Sequence, residues 1–146
     1  MIGLLQRVTE ASVRIDGECV GAIASGLLVL VAVQPQDNEA TAQRLLERLL
    51  TYRVFADEAG RMNRALCDTG GGLLLVPQFT LAADTRSGTR AGFSTAAAPA
   101  HAHALFVYLV ERAQARHANV ACGRFGADMK VALVNDGPVT FWLEAH

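Results

Sequence analysis

Apolar and polar positions change period several times along this 146-residue chain, and each change marks an element. Residues 2–15 alternate unevenly, as a strand does, and Asp16-Gly17 then precedes Glu18-Cys19-Val20. Asp-Gly between two such segments predicts a β-hairpin, because the turn needs backbone that tolerates positive φ. After Gly26, the run Leu27-Leu28-Val29-Leu30-Val31-Ala32-Val33 is continuously apolar and rich in Val, the pattern of a strand buried on both faces. A polar link, Gln34 to Asp37, leads to Asn38, a residue suited to an N-cap. From Glu39 to Thr51 the apolar residues are Ala42, Leu45, Leu46, Leu49 and Leu50, the stripe of an amphipathic helix.

Tyr52–Phe55 reads as a short strand closed by the turn residues Asp57 to Gly60. Gly70-Gly71-Gly72 lacks the Lys-Ser/Thr of a phosphate loop and precedes a strand pattern, Leu73 to Val76, so it predicts a turn. The segment Pro77-Gln78-Phe79-Thr80-Leu81 continues that strand, with Thr80 at its end, and a long polar loop follows from Asp84 to Phe93. A second helix begins at about Pro99, with Phe106, Leu109, Val110 and Ala113 on one face. From Val120 the chain alternates as short strands around Gly123-Arg124-Phe125-Gly126. Met129–Val134 and Val139–Leu143 are strand patterns joined by Asn135-Asp136-Gly137-Pro138-Val139-Thr140, whose Gly-Pro predicts a shaped corner. Many short strands and two amphipathic helices, with no linker or repeat, give an α+β class: one domain over 1–146 with a compact, curved or barrel-like sheet packed on the helices.

Composition narrows the class of function. Half the chain is apolar (51%) and it carries a net charge of −1, which argues against disorder and against a generic nucleic-acid binder with a broad basic stripe. The basic residues are twelve Arg and one Lys, Lys130, so contacts to RNA would be local and bidentate. No apolar run approaches the ~18 residues of a membrane span, and charge arrives too early, at Arg7, for a signal peptide. Cys19, Cys67 and Cys122 are scattered, fitting a reducing cytoplasm; Cys67 and Cys122 sit near apolar segments and are expected as small core residues.

Conventional hydrolytic machinery is missing from the pattern. No Gly-x-Ser-x-Gly elbow occurs. His101 and His103 are two residues apart on the second helix and face different sides, so they cannot share a metal through one face, and they and His117 are expected near solvent. Asp57 and Glu58 lie in a turn. An enzyme built from this chain would use no cofactor and no metal; it would rely on backbone donors, hydroxyls such as that of Thr80, and groups of its substrate.

Two segments, Gln78-Phe79-Thr80-Leu81 and Asn135-Asp136-Gly137-Pro138-Val139-Thr140, resemble the signature pair of the D-aminoacyl-tRNA deacylases, and the likeness extends over the whole chain. It takes in Leu5-Gln6-Arg7-Val8, Arg61-Met62-Asn63, Ala83-Asp84-Thr85-Arg86, Phe93 and the run from Gly123 to Thr140. The resemblance implies a homodimer that hydrolyses the ester between a D-amino acid (or glycine) and the 3′-terminal adenosine of tRNA. Catalytic roles would fall to Gln78, to the backbone N–H of Phe79 as oxyanion donor and to Thr80, assisted by the ribose 2′-hydroxyl. Substrate contacts would come from Gly137 and Pro138, a cis pair inserted into the partner's site to refuse L-amino acids, from Phe125 and Met129 against adenine, and from Arg86 and Arg90 at the acceptor-end phosphates. The expected partner is the aminoacyl-tRNA acceptor end in the cytoplasm, with no membrane and no DNA. The family's Ser is Pro77 here, and Ala91 stands where a Pro is common. An obligatory Ser nucleophile would make the chain an inactive RNA-binding homologue, and a trans Gly-Pro would signal an editing enzyme for L-aminoacyl errors.

Overall fold

The computed structural model describes residues 1–146. Its first element, β1 (Ile2–Ile15), is the axis of the sheet and pairs antiparallel with β2 (Glu18–Ile23), β3 (Gly26–Ala32) and the last strand, β8 (Lys130–Glu144). The hairpin between β1 and β2 turns at Asp16 (φ 49°) and Gly17 (φ 81°), the positive-φ pair that Asp-Gly supplies. β3 continues in parallel register to β6 (Gly72–Pro77), and β6 to β7 (Val120–Cys122). The order is β2-β1-β3-β6-β7 with β8 on β1, and β2 approaches β7, so the sheet curls into a nearly closed barrel.

Side-chain alternation divides the core. Leu27, Val29, Val31, Leu73 and Leu75 point to one face and pack under α1 (Glu39–Thr51) and α3 (Pro99–Arg116); Leu28, Leu74 and Val76 point to the other and meet Val8, Ala11 and Val13 inside the curl. That two-sided burial is what the unbroken apolar runs encode. α1 buries Ala42, Leu45, Leu46, Leu49 and Leu50. Its start is fixed by a capping box in which Asn38 accepts from Thr41 N–H and the Thr41 hydroxyl accepts from Asn38 N–H. α3 starts with Pro99 at its first turn and buries Leu105, Phe106, Leu109, Val110 and Ala113. The α-ammonium of Met1 is buried between the Asp37 carboxylate (2.6 Å) and the Ala145 carbonyl (2.8 Å), which ties the start of β1 to the end of β8 and the approach to α1. No helix is long and apolar enough to cross a membrane.

Several local expectations need correction. Tyr52 to Val54 is irregular; the strand is only β4 (Phe55–Ala56), paired with β5 (Met62–Arg64). A short α2 (Leu66–Thr69), too brief to show a period, precedes the glycines, and Gly70 in left-handed geometry ends it. Cys67 on α2 is exposed, because only its neighbour Leu66 turns inward, and Cys122 is half-buried, where burial pushes its thiol pKa up. His101 is exposed and His117 half-exposed, near solvent as expected, and each also anchors a loop: their Nε2 atoms contact the carbonyls of Asp37 (2.8 Å) and Gly71 (2.6 Å). The final segment is one 15-residue strand, β8, with the Gly-Pro corner inside it.

Candidate active site

A cleft of about 460 Å³ opens where β6 ends. Val76, Pro77, Gln78 and Phe79 form one wall; Ala97, Pro99 and Ala102 at the head of α3 form another; the β7–β8 connection closes it with Phe125, Met129 and their neighbours. Ligand chambers generally span ~300–1,000 Å³ and are mostly apolar with a few placed polar groups, and this one fits that description.

Backbone parity explains how Pro77 is accommodated. Gln78 N–H donates to the Val31 carbonyl (2.7 Å), so residue 78 faces β3 and residue 77 faces the opposite side. On that side β7 pairs no further than Leu75 with Cys122. The N–H that proline lacks therefore has no strand partner to miss.

The chain then turns in a 3₁₀ helix, Phe79–Ala82. Thr80 thus lies within this turn and not at the end of a strand; a Phe-Thr-Leu segment has strand propensity, but the turn's own hydrogen bonds prevail. Those bonds begin with Leu81 N–H to Gln78 O (3.3 Å), followed by Ala83 N–H to Thr80 O (3.2 Å). The N–H groups of Phe79 and Thr80 precede the first of them and are donors of the kind a helix start leaves over. The Gln78 side-chain amide donates to the Thr80 hydroxyl, whose own proton remains available.

Phe79 is half-exposed, and its ring meets that of Phe93 with centroids 5.2 Å apart. This contact folds the 84–93 loop back over the 3₁₀ turn. Asp84 and Gly92 exchange both backbone hydrogen bonds (2.7 and 2.9 Å), so the loop is a closed excursion. Within it the Arg86 guanidinium forks onto the Asp84 carboxylate (2.9 and 2.7 Å). The side-chain hydrogen bonds from Arg86, then its backbone N–H, hold the Asp84 carboxyl well below the usual carboxylate range; the same pairing raises the Arg86 pKa.

Met129 is placed by a missing side chain. A Cβ on Gly123 would stand 2.7 Å from the Met129 sulfur and 3.4 Å from Pro77 Cδ. Gly123 thereby lets the thioether lie over the backbone, where Arg124 N–H donates to the sulfur (3.4 Å).

The Gly-Pro corner is a bulge in β8. Thr140 pairs with Gln6 and Asn135 with Val8, so Asp136, Gly137, Pro138 and Val139 stand opposite the single residue Arg7. The Gly137-Pro138 peptide is cis, and Gly137 has φ 140°, a region that L side chains rarely enter. Asn135 holds one flank, its Oδ1 accepting from Val139 N–H (2.7 Å) and its Nδ2 donating to the Thr140 hydroxyl (2.8 Å). Arg7 holds the other, its Nε donating to the Asp136 carbonyl (2.9 Å) and its Nη1 to the Val54 carbonyl (2.6 Å).

The structure thus gathers Gln78, Phe79, Phe125 and Met129 around one cleft. Thr80 and Arg86 line a neighbouring, more open depression with Ile2, Gln34 and Trp142. Arg90, Gly137 and Pro138 line neither, and all three are exposed. Nowhere do three or more His, Cys, Asp or Glu side chains gather in a way that could hold a metal ion. Sequence reasoning did not assign Arg7 or Gly123; an Arg amid the apolar positions of β1 was the available signal for the first.

Residues 4–144 match the model of a family described as D-Tyr-tRNA(Tyr) deacylase. A D-aminoacyl-tRNA deacylase of Thioalkalivibrio sulfidiphilus (strain HL-EbGR7) is 67% identical over 99% of this chain and 97% of its own length. One from Stutzerimonas stutzeri (strain A1501) is 65% identical over 99% of this chain and 100% of its own. Among solved structures, a c-Myc DNA unwinding element binding protein superposes with TM-score 0.95 at 33% identity, covering 100% of this chain and 99% of the other. A probable eukaryotic D-amino acid tRNA deacylase shares the fold, with TM-score 0.83 at 15% identity and 98% of each chain covered.

Proposed function

The chain belongs to the D-Tyr-tRNA(Tyr) deacylase family and is a hydrolase of that kind, and from this premise we propose that it is a chiral proofreading enzyme. Its substrate is the ester between a D-amino acid, or glycine, and the 3′-terminal adenosine of tRNA. The observation that carries the reading is the adjacency of an apolar cleft, walled by Phe125 and Met129, to the free N–H groups of Phe79 and Thr80.

The terminal adenine enters the cleft and stacks against Phe125 and Met129, since unstacked bases at single-stranded ends are held by aromatic and apolar faces. The ester carbonyl then lies at the 3₁₀ turn. Water adds to the carbonyl carbon, and the developing oxyanion accepts hydrogen bonds from the N–H of Phe79 and of Thr80. As the tetrahedral intermediate collapses, the bond to the ribose 3′-oxygen breaks. The neighbouring 2′-hydroxyl relays one proton of the water to that oxygen, and the amino acid leaves as its carboxylic acid, which releases the second proton to solvent and becomes the carboxylate. Gln78 keeps the turn in shape through its amide contact with the Thr80 hydroxyl. No resident metal or cofactor takes part in these steps.

Gly137 and Pro138 are exposed and lie outside the cleft of their own protomer, as groups that complete a second copy's site would. In a homodimer, with each 1–146 domain lending its corner to the other, the backbone carbonyls there meet the substrate Cα. Arg7 and Asn135 hold the corner from both flanks, so it does not relax to admit the L-enantiomer. Arg86 and Arg90, on the exposed loop, serve the acceptor-end phosphates. The enzyme works in the cytoplasm, where charged tRNA is found.

Deacylation of D-Tyr-tRNA and L-Tyr-tRNA by the purified protein tests this directly. Loss of the D-ester alone is expected, with a chelator present; failure to hydrolyse the D-ester overturns the reading.

A further inference from the structure

The β7–β8 connection carries Phe125 into the cleft on little support of its own. Between Cys122 and Lys130 its backbone makes one internal hydrogen bond, Ala127 N–H to Arg124 O (3.3 Å), and Gly126 beside Phe125 has φ 77°. Loop side chains of this kind need a neighbour to fix their orientation. Met129, across the same connection, has one in the bed formed by Gly123 and Pro77.

Phe125 has His103. The two rings are stacked, with centroids 4.9 Å apart and planes 18° from parallel. His103 follows Ala102, which lines the cleft from α3, yet His103 itself does not line it. The phenyl ring thus stands between the imidazole and the chamber. His103 is exposed and makes no contribution to the buried face of α3, which is formed by Ala102, Leu105, Phe106, Leu109, Val110 and Ala113. Its place in the fold is explained by the ring it backs.

We propose that His103 is a positioning residue for substrate binding, acting through Phe125: imidazole, phenyl and the terminal purine form a three-layer stack at the cleft wall. The inference rests on reading the cleft as the chamber of the terminal adenosine. Aromatic pairs in offset-stacked geometry contribute enough to change an affinity by about two- to tenfold. The effect falls on binding, because the imidazole touches neither the ester nor the 3₁₀ turn.

The test uses His103→Ala, His103→Phe, Phe125→Leu and the double variant His103→Ala/Phe125→Leu. Two quantities are measured: KM and kcat for D-Tyr-tRNA, and the Kd for an adenosine carrying D-tyrosine through a hydrolysis-resistant 3′-amide. His103→Ala is expected to raise KM and Kd about two- to tenfold with kcat and Tm unchanged, and His103→Phe to restore both. In the Phe125→Leu background the same alanine should have no further effect, the mark of coupling between the two side chains. Unchanged KM and Kd, an equal loss in both backgrounds, no rescue by phenylalanine, or a loss that follows a fall in Tm would each overturn the proposal. Should the unaltered protein bind the amide but leave the ester intact, the deacylase reading fails and the stack is judged on Kd alone. Should it hydrolyse the ester without binding the amide, the deacylase reading stands and the stack is judged on KM; should it do neither, both fail.

Discussion

Arg7 on β1 holds the carbonyl of Asp136, 129 residues further along the chain, with Nε 2.9 Å from the oxygen. The same guanidinium reaches the Val54 carbonyl through Nη1 (2.6 Å). Its side chain is only 16% exposed, whereas its contact with the Asp136 carboxylate is long (3.7 Å) and open to solvent. The backbone bonds therefore dominate, since an exposed ion pair contributes little. One fork thus joins the bulge in β8 to the segment after α1, and the corner is located by the core of the fold.

Arg7→Lys tests that linkage. An ammonium on a flexible stem cannot reproduce a planar fork across two carbonyls, and one half-buried acceptor loses its partner. A loss of about 1–3 kcal/mol in unfolding free energy is expected by urea titration, with a fall in D-ester turnover. Unaltered stability and turnover would assign the corner's position to Asn135 alone.

Pro77→Ser asks whether a serine before Gln78 is needed. The nitrogen of residue 77 faces the side where β7 no longer pairs, and the donors of Phe79 and Thr80 lie beyond it. Restoring serine should change turnover by less than about threefold and cost up to about 1 kcal/mol of stability, through the greater freedom of the unfolded chain. A rise in turnover of about a hundredfold or more would mean that proline had disabled the site and that the natural protein serves as a binding homologue.

Elements fixed by local chemistry were legible in the sequence. Asn38 and the leucines at 45, 46, 49 and 50 define α1 to its observed ends, and Asp16-Gly17 defines its hairpin. Gln78, Phe79, Phe125 and Met129 all line one cleft. What could not be read depends on distant partners. A bulge of four residues against Arg7 looks, in one dimension, like a corner between two strands, because the period breaks in either case. The guanidinium of Arg7 finds acceptors 47 and 129 residues away, which no window of sequence contains. Thr80 reads as strand by propensity and lies in a 3₁₀ turn because the strands flanking β6 have run out.

Thr80→Val separates the side chain's part in hydrolysis from that of the backbone. The substitution keeps the N–H of residue 80 and removes the hydroxyl that accepts from the Gln78 amide. Loss of one principal oxyanion donor commonly costs ~10²–10³ in kcat. With the backbone donors intact, a smaller fall of about tenfold in single-turnover rate is expected. A fall of about a thousandfold would make the hydroxyl itself a principal catalytic group.

The Asp84–Arg86 fork sets a pH window for the loop. Hydrogen bonds from Arg86 depress the Asp84 carboxyl in the folded chain, so this pairing contributes above the unfolded value of about 3.9. It is lost as pH falls through the lower, folded value. The loop should therefore keep its geometry from neutral pH to below about 4, until the depressed folded value is reached. Carbon-detected NMR titration should place the Asp84 midpoint well below about 3.9, and Arg86→Ala should move it back towards that value. A midpoint near the unperturbed value in the natural protein would mean that the fork does not hold in solution.

Gly123→Ala probes the seat of Met129 beside the cleft. The added methyl would lie 2.7 Å from the Met129 sulfur, too close to remain, but the thioether is the movable end of a flexible side chain. Relief should therefore come from rotation of Met129 away from its bed over Gly123 and Arg124, with the backbone of β7 undisturbed. Tm should stay nearly constant, because Met129 is only half-buried. KM for D-aminoacyl-tRNA should rise several-fold, as the adenine loses one of its two proposed apolar contacts, and kcat should hold because the 3₁₀ turn is untouched. Alanine should have little further effect on KM in a Met129→Ala background, where the sulfur it displaces is already gone. A large drop in Tm with unchanged KM would place the role of Gly123 in closing the barrel at β7.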